Sequence, residues 1–407
     1  MASSPSQTNP NSFHTDFCLQ LAYKVLQKQI QNGSNFVSSP LSLHIILSLV
    51  AAGAKGKTLE ELLSFLGSPS KDDLNSASSQ IVSSLRNVEG TENGGPSLSF
   101  VNGAWVDKTF GLKASFEELV KNVYRSPIEE VDFRNKAEEV AEEVNSWTES
   151  ETNGLIRELL PPDSITADTV LVLANALYFK GAWNSKKFDP TMTETKNFHL
   201  LNGGNVQVPF MTSMPYEEYY YRSFNNYKVL AIPYHQSGRT PLKFIMYFFL
   251  PHEKDGLPDL IHTLNSNARC LNEEIELWSN EVDHVWIPRF KFSFNLDAIE
   301  DLKELGLTLP FKVPGDLTEI ADCSYGHRIL VSKIVQKAFV EVNEEGTEAA
   351  ASTDAILDVQ FSAGLPSPPK PKPKLFVADH PFLFMIREET SLAVFFIGAV
   401  LNPILDS

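Results

Sequence analysis

Positive charge is in short supply in this chain. Lys and Arg number 34 against 51 Asp and Glu, giving a net charge of −17. Such a surface repels phosphate backbones and anionic lipid, so nucleic acid and membrane surfaces are excluded and a protein partner is the favoured class. Cysteine is scarce as well. The three present, Cys18, Cys270 and Cys323, cannot all pair, and their wide spacing suits neither a disulfide framework nor a zinc site. A reducing compartment fits them best. No apolar run approaches the length of a membrane span. Met1 to Asn11 holds no basic residue and no apolar stretch, so it reads as neither a secretory signal nor a transit peptide. The sequon Asn32-Gly33-Ser34, which matters only in the secretory pathway, reads as a turn after a helix.

Catalytic signatures are missing too. There is no Gly-x-Ser-x-Gly, His-Glu-x-x-His or paired Cys-x-x-Cys motif, and the nine histidines are scattered. Gly53-Ala54-Lys55-Gly56-Lys57-Thr58 invites a phosphate-loop reading, but that motif requires a glycine five positions ahead of Gly56, where Ala51 stands. It reads as a helix-to-helix turn. Asp379-His380 looks like half of a catalytic pair, yet adjacent residues on a strand face opposite ways, so His380 is taken as a structural residue ahead of Pro381. No catalytic residue, metal site or cofactor is expected.

What is present is core. With 407 residues, 43% of them hydrophobic and 27 of them Phe, one large domain can be filled. Phe17, Cys18, Leu21, Ala22 and Val25 recur at helical spacing after a Thr15 or Asp16 cap, and the apolar run Ile45 to Ala52 follows. Residues 67–97, rich in Ser, Gly, Asn and acids, read as exposed surface with one weak helix. Leu98 to Val106 reads as a buried strand. Ala137, Val140, Ala141, Val144 and Trp147 form a helical stripe, with Glu138, Glu139, Glu142 and Glu143 on its solvated face. Val170 to Phe179 reads as a strand buried on both faces, in which the polar Asn175 needs partners. Strand and turn signals alternate through Val208 to Met211, Leu242 to Pro251 and Val285 to Phe290.

One stretch carries two signals at once. From Glu344 to Gln360 the residues Thr347, Ala349, Ala351, Thr353, Ala355, Leu357 and Val359 are small or apolar, while Glu348, Ser352, Asp354, Asp358 and Gln360 on the other parity are polar. That is the period of a half-buried strand. Three consecutive alanines, a glycine and several acids are nevertheless poor strand formers and suit an exposed loop. An ordinary loop is one reading; an element exposed in one state and paired into a sheet in another is the second.

The words around that stretch resemble a known family. Glu341-Val342-Asn343-Glu344-Glu345-Gly346-Thr347-Glu348-Ala349-Ala350-Ala351 looks like the hinge signature of the serpins, and Phe376-Val377-Ala378-Asp379-His380-Pro381-Phe382-Leu383-Phe384 resembles the segment after their reactive loop. Asn175-Ala176-Leu177-Tyr178-Phe179-Lys180-Gly181-Ala182-Trp183 is a third such word, and Asn145-Ser146-Trp147 resembles the helix lying across the front of the main sheet. The resemblance runs from about residue 13 to Pro403 and is closest to the plant serpins of the Z/ZX type.

The resemblance implies an α+β serpin fold spanning 1–407 as one domain, with a flexible 1–12. It implies a large mixed central sheet, smaller sheets, about nine helices, and a hinge and exposed reactive-centre loop over 344–375. It places the sheet-opening cluster at Ser39, Ser42, Asn175 and Gln336, with the two serines as partners of Asn175. Gln336 stands where most serpins have a histidine; an amide can both donate and accept but cannot titrate near neutral pH. Hinge and loop residues are Glu344, Glu345, Gly346, Thr347, Glu348, Ala349, Ala350, Ala351 and Ser352, then Leu357, Asp358 and Val359. Counting as the family does from Gly346 puts the reactive bond at Gln360-Phe361, with Asp358, Phe361 and Leu365 as other cleavage points.

The implied function is suicide-substrate inhibition of serine or papain-like cysteine endopeptidases, not enzymatic catalysis. The partner is the target endopeptidase in a covalent 1:1 complex with a monomer. Cytoplasm or nucleus is the implied location, with the apoplast reached by unconventional release. The alternative is a non-inhibitory serpin used for storage or binding. The loop exit Pro366-Ser367-Pro368-Pro369-Lys370-Pro371-Lys372-Pro373-Lys374 reads as an extended polyproline spacer or as a docking site for a proline-binding domain or acidic exosite.

Overall fold

A computed structural model describes residues 16–85, 96–184, 187–236, 242–266, 271, 275–312, 316–322, 329–347 and 373–405. Four helices open the chain: α1 (Asp16–Asn32), α2 (Pro40–Gly53), α3 (Gly56–Leu66) and α4 (Lys71–Leu85), with the short strand β1 (Phe36–Ser38) after the first. In α1, Cys18, Leu21, Ala22 and Val25 are buried as the spacing predicts. Burial also pushes the Cys18 thiol far above its ordinary range. The helix ends where the Asn32-Gly33 turn was expected, with Gly33 at φ +69 and its N–H donating to the Ile30 carbonyl at 3.2 Å. Every residue of α2 is buried, the behaviour of a helix apolar all round. Between α2 and α3 the Lys55 N–H donates to the Asp316 carbonyl at 2.9 Å, so the Gly53 to Lys57 stretch is a helix-to-helix turn. Helix α4 departs from expectation: Leu74, Val82 and Leu85 are buried in the core. A few apolar residues at helical spacing dock a helix whose serine-rich composition argued for surface.

Three sheets follow. The main sheet has the order β12-β13-β4-β2-β3, made by β12 (Phe290–Asp297), β13 (Lys333–Val342), β4 (Leu171–Ala182), β2 (Ser97–Asp107) and β3 (Ile128–Val131). It is mixed, since β13 runs parallel to β4 while β12 and β2 pair antiparallel to their neighbours. The sheet with most strands is instead antiparallel and seven-stranded, β1-β17-β16-β9-β8-β7-β10. Its members beyond β1 are β7 (Glu217–Ser223), β8 (Tyr227–Pro233), β9 (Phe244–Pro251), β10 (Trp278–Val282), β16 (Phe382–Glu388) and β17 (Val394–Val400). A four-stranded sheet, β15-β11-β6-β5, joins β15 (Leu375–Val377), β11 (His284–Pro288), β6 (Asn205–Thr212) and β5 (Glu194–His199).

Helix α6 (Phe133–Glu151) lies across the main sheet. Its Val140, Val144 and Trp147 pack on Trp105 of β2, Val172 and Ala174 of β4 and Val335 of β13, while Glu138, Glu139, Glu142 and Glu143 face solvent. The helix therefore bridges the line where β4 meets β13. Helices α5 (Ala114–Leu119), α7 (Leu257–Ser266) and α8 (Ile299–Glu304) complete eight α-helices among the described residues. No described helix is long and apolar enough to cross a membrane.

Candidate functional site at the parting of two strands

The ladder between β4 and β13 runs from Val172 opposite Lys333 up to Tyr178 opposite Phe339 and stops there. Above it the chain leaves β13, turns back at Asn343 to Gly346, and begins a two-residue strand, β14 (Gly346–Thr347), antiparallel to β4 with Gly346 opposite Ala182 and Thr347 opposite Gly181. The two long strands thus part, and the loop segment has begun to fill the gap. Gly346 is required at this turn. Its φ of +118 suits glycine, and an added Cβ would lie 2.2 Å from the Gly181 carbonyl oxygen.

The turn is held by side chains that sequence reasoning left unassigned. The Trp183 N–H donates to the Glu345 carbonyl at 3.1 Å, and its indole Nε1–H donates to the Asn343 carbonyl at 3.1 Å. The indole stacks on Tyr234 at 4.9 Å. Glu344, with a side chain only 4% exposed, receives the Arg289 Nη2 at 2.6 Å, the Arg289 Nε at 2.8 Å and a bond from Thr193 Oγ1. All three donors converge on Oε1. Trp183 sits inside a word that was recognised, but its pairing with the turn, like that of Glu344 with Arg289, joins residues far apart in sequence, and no local pattern announces it.

Lower down, the polar cluster divides. Gln336 Oε1 accepts from Ser38 Oγ at 2.7 Å and from the Ser39 N–H at 2.8 Å, while its Nε2 donates to the Ser39 carbonyl at 3.0 Å. Ser39 Oγ, capping α2, accepts from the Ser42 N–H at 3.2 Å and from Ser42 Oγ at 2.8 Å. Ser39, Ser42 and Gln336 are therefore brought together, with Ser38 as a member the sequence did not single out. Asn175 is not joined to the serines, which corrects the partners the resemblance implied. Its Nδ2 donates to Asn102 Oδ1 at 2.9 Å and to the Val101 carbonyl at 3.0 Å, because Asn102 stands directly opposite it in the β2 and β4 register. Its buried Oδ1 has no hydrogen-bond partner. No bond of this set crosses between β4 and β13, so parting them here breaks backbone ladder bonds and leaves both half-clusters intact.

On the other face Lys337 of β13 points toward the segment after α6, where its Nζ donates to the Glu158 carbonyl at 2.6 Å. Burial lowers its pKa, with the charge of Glu158 opposing the shift. In the window between that lowered value and the ordinary lysine value the unfolded chain binds more protons, so stability rises with pH there. Lys337→Met keeps the stem and removes the desolvated cation. Its unfolding midpoint at neutral pH should rise by roughly 1–2 °C, and the rise in stability with pH across that window should shrink, both readable by calorimetry.

Asp379 and His380 do meet, against the expectation that they face apart: His380 Nδ1 lies 2.8 Å from Asp379 Oδ1. The reason is that they fall between β15 and β16, outside any strand. His380 Nε2 is 3.0 Å from the Pro251 carbonyl oxygen and the ring is buried, which makes it a structural tie. The hinge and loop positions Glu348, Ala349, Ala350, Ala351, Ser352, Leu357, Asp358 and Val359, the bond Gln360-Phe361 and most of the proline-rich exit lie outside the described residues.

The family model for serpins (serine protease inhibitors) matches residues 12–403. Serpin-Z10 of Arabidopsis thaliana is 45% identical over 393 residues, covering 96% of this chain and 97% of that protein. Serpin-ZXA of Oryza sativa subsp. japonica is 46% identical over 374 residues, covering 92% and 91%. Among solved structures, an Arabidopsis serpin described as in its native stressed conformation superposes with a TM-score of 0.84 at 41% identity, over 98% of this chain and all (100%) of that one. A main sheet parted where the chain turns back, and a match along nearly its whole length, lead to one conclusion: this chain belongs to the serpin family.

Proposed function

We propose that the protein is a suicide-substrate inhibitor of serine or papain-like cysteine endopeptidases, with 344–375 as hinge and reactive loop. The observation that carries this reading is the antiparallel pairing of Gly346 and Thr347 with the top of β4, at the mouth of the gap beside β13. Continuing that register one residue at a time sets Ala349 opposite Phe179, Ala351 opposite Leu177, Thr353 opposite Asn175, Ala355 opposite Leu173 and Leu357 opposite Leu171. The β4 apolar residues of this series belong to the main core. The small and apolar parity of the loop thus matches the core face of the sheet, and Thr353 falls level with the unpartnered Asn175 Oδ1 and with Gln336. On the other parity Glu348 falls opposite Lys180.

In the mechanism, the target's serine or cysteine attacks the Gln360 carbonyl, expels the Phe361 amine and forms an acyl-enzyme. The freed segment then extends β14 down the gap. Fourteen residues from Thr347 to Gln360 at about 3.3 Å each reach roughly 46 Å, which carries the tethered peptidase along the length of the sheet before water completes hydrolysis. Each new ladder hydrogen bond contributes about 1 kcal/mol net. The intact fold is accordingly metastable, in line with the stressed native state named for the Arabidopsis serpin structure. Gln360 is neutral and offers nothing to an acidic specificity pocket. Val359 suits an enzyme with an apolar neighbouring pocket, as papain-like peptidases have.

The test is to incubate the protein with papain-like, trypsin-like, chymotrypsin-like and Asp-specific peptidases, look for SDS-stable complexes and sequence the released peptide. A complex with a peptide beginning at Phe361 is expected. Cleavage by all of them with no complex would replace this reading with the storage or binding one.

A further inference from the structure

Residue spacing on two helices builds a pocket that shares no residue with the gap between β4 and β13. Cys18, Leu21 and Ala22 of α1 and Leu62 and Leu66 of α3 are buried. That burial turns Phe17 with Gln20, at i and i+3, and Glu61 with Phe65, at i and i+4, toward the flank where the helices meet. Leu305 and Gly306, in the turn after α8, close the third side. The space enclosed is about 580 Å³, within the range of small-molecule sites. Gly67 at φ +65 and Gly306 at φ +102 have no atom within 4 Å of where a Cβ would stand, so both helix ends leave open space beside them.

The lining is aromatic and negative. Phe17 and Phe65 pack ring against ring and are half-buried. Glu61, also half-buried, accepts the Thr308 N–H at 3.2 Å and the Leu309 N–H at 2.7 Å on Oε2, and the Thr308 hydroxyl at 3.3 Å on Oε1. An ionised carboxylate offers about four lone-pair sites, so one remains on Oε1. All three donors are neutral, and no described Lys or Arg is paired with Glu61. Lys24 and Lys28 of α1 are spent on Glu304 at 2.7 Å and Asp301 at 2.6 Å. The exposed Lys312 gives its Nζ to Thr308 Oγ1 at 3.2 Å instead of to the carboxylate. Helix α3 also ends at the pocket with no basic residue in its last turn, which leaves the negative end of its dipole uncompensated.

We infer that this pocket binds a small organic ammonium ion with an aromatic body, its charge against Glu61 Oε1 and the carbonyl end of α3 and its body on the Phe17 and Phe65 rings. Charge complementarity selects this occupant. An anion would meet a carboxylate and the wrong end of a dipole, and a neutral molecule would leave both unanswered, whereas a cation is also drawn to the ring faces. The site stands apart from the inhibitor reading, since none of its residues belongs to the hinge, the loop or the strands that part.

The experiment measures binding of phenethylammonium chloride to the full chain by equilibrium dialysis, beside phenethyl alcohol and hydrocinnamate, which share its ring and differ in charge. A Kd of about 1 mM is expected for the ammonium, with weaker binding of the other two and an unfolding midpoint that rises with ammonium concentration. Glu61→Gln keeps an oxygen for the two backbone N–H groups and should weaken the ammonium about fivefold. Glu60→Gln, on the exposed side of α3, should leave it unchanged. Ser64→Arg, at an exposed position one turn from Glu61, supplies the pocket with a cation of its own and should abolish binding of the probe. Equal affinity for all three probes, or no binding at about ten times the expected Kd, overturns the site. Binding unaltered by both Glu61→Gln and Ser64→Arg would mean that the acidic surface at large holds the ammonium, and overturns it too. Binding that appears only after residues 1–12 are removed would make the chain's own N-terminus the occupant and overturn the small-molecule reading.

Discussion

Thr347→Arg should convert the protein from an inhibitor into a substrate. Thr347 already pairs with Gly181, so it is the first loop residue after the glycine turn that strand extension must draw into the sheet. The surroundings at Gly181 are aromatic: a Cβ built there would meet Tyr234 at 3.0 Å and Phe179 at 3.1 Å. A guanidinium brought beside them has no counter-charge, and an unpaired buried charge costs several kcal/mol even after relaxation. The outcome depends on whether insertion outruns deacylation, and every 1.4 kcal/mol added to the insertion barrier alone shifts that race about tenfold. The number of inhibitor molecules consumed per peptidase should therefore rise by about tenfold or more, while the peptide beginning at Phe361 is released at the parental rate. Undiminished covalent complex from the variant would refute the insertion argument at its first step.

What made this legible was periodicity. The buried strand Val170 to Phe179 and the stripe of α6 each follow from one face meeting a core, and they stand where the spacing put them; the alternation after Gly346 lies outside the described residues. Side-chain partnerships were another matter. Asn175 is bound to Asn102 because two antiparallel strands happen to be in that register, and register between segments some seventy residues apart is not written in either one (|i−j|=73). The same holds for Arg289 and Glu344: the acid belongs to the hinge word, the base to a run that reads only as strand and turn, and only the fold puts them together. Helix α4 failed for the opposite reason. Its composition was averaged over a polar stretch, and averaging hides three apolar residues that all fall on one side. The meeting of Asp379 with His380 was missed because a strand rule was applied to residues that lie outside any strand.

The ion pair at the turn leads to the second large effect. In Glu344→Lys a cation replaces a carboxylate that is nearly all buried and that takes three hydrogen bonds on one oxygen. Arg289, 42% exposed at its side chain, then faces a like charge across the space of a hydrogen bond. Breaking a buried pair by removing one partner costs about 3–5 kcal/mol, and the exposure of Arg289 puts this case toward the lower end, since water screens part of the repulsion. The turn from Asn343 to Gly346 would keep Trp183 and its own Asn343–Gly346 backbone bonds but lose its anchor to Arg289 and Thr193, and the mouth of the gap between β4 and β13 would open more readily. Two measurements should move together: the unfolding midpoint of the intact protein should drop by several degrees, and a synthetic peptide of residues 347–359 should be taken up faster than by the parent. The charge swap decides the cause. Arg289→Glu combined with Glu344→Lys restores opposite charges in the same place, so the double variant should be more stable than either single one, with a coupling of about 1–3 kcal/mol. Strictly additive losses would mean that the turn is set by Trp183 and backbone geometry, and that the gap is kept closed by the packing of α6 across it.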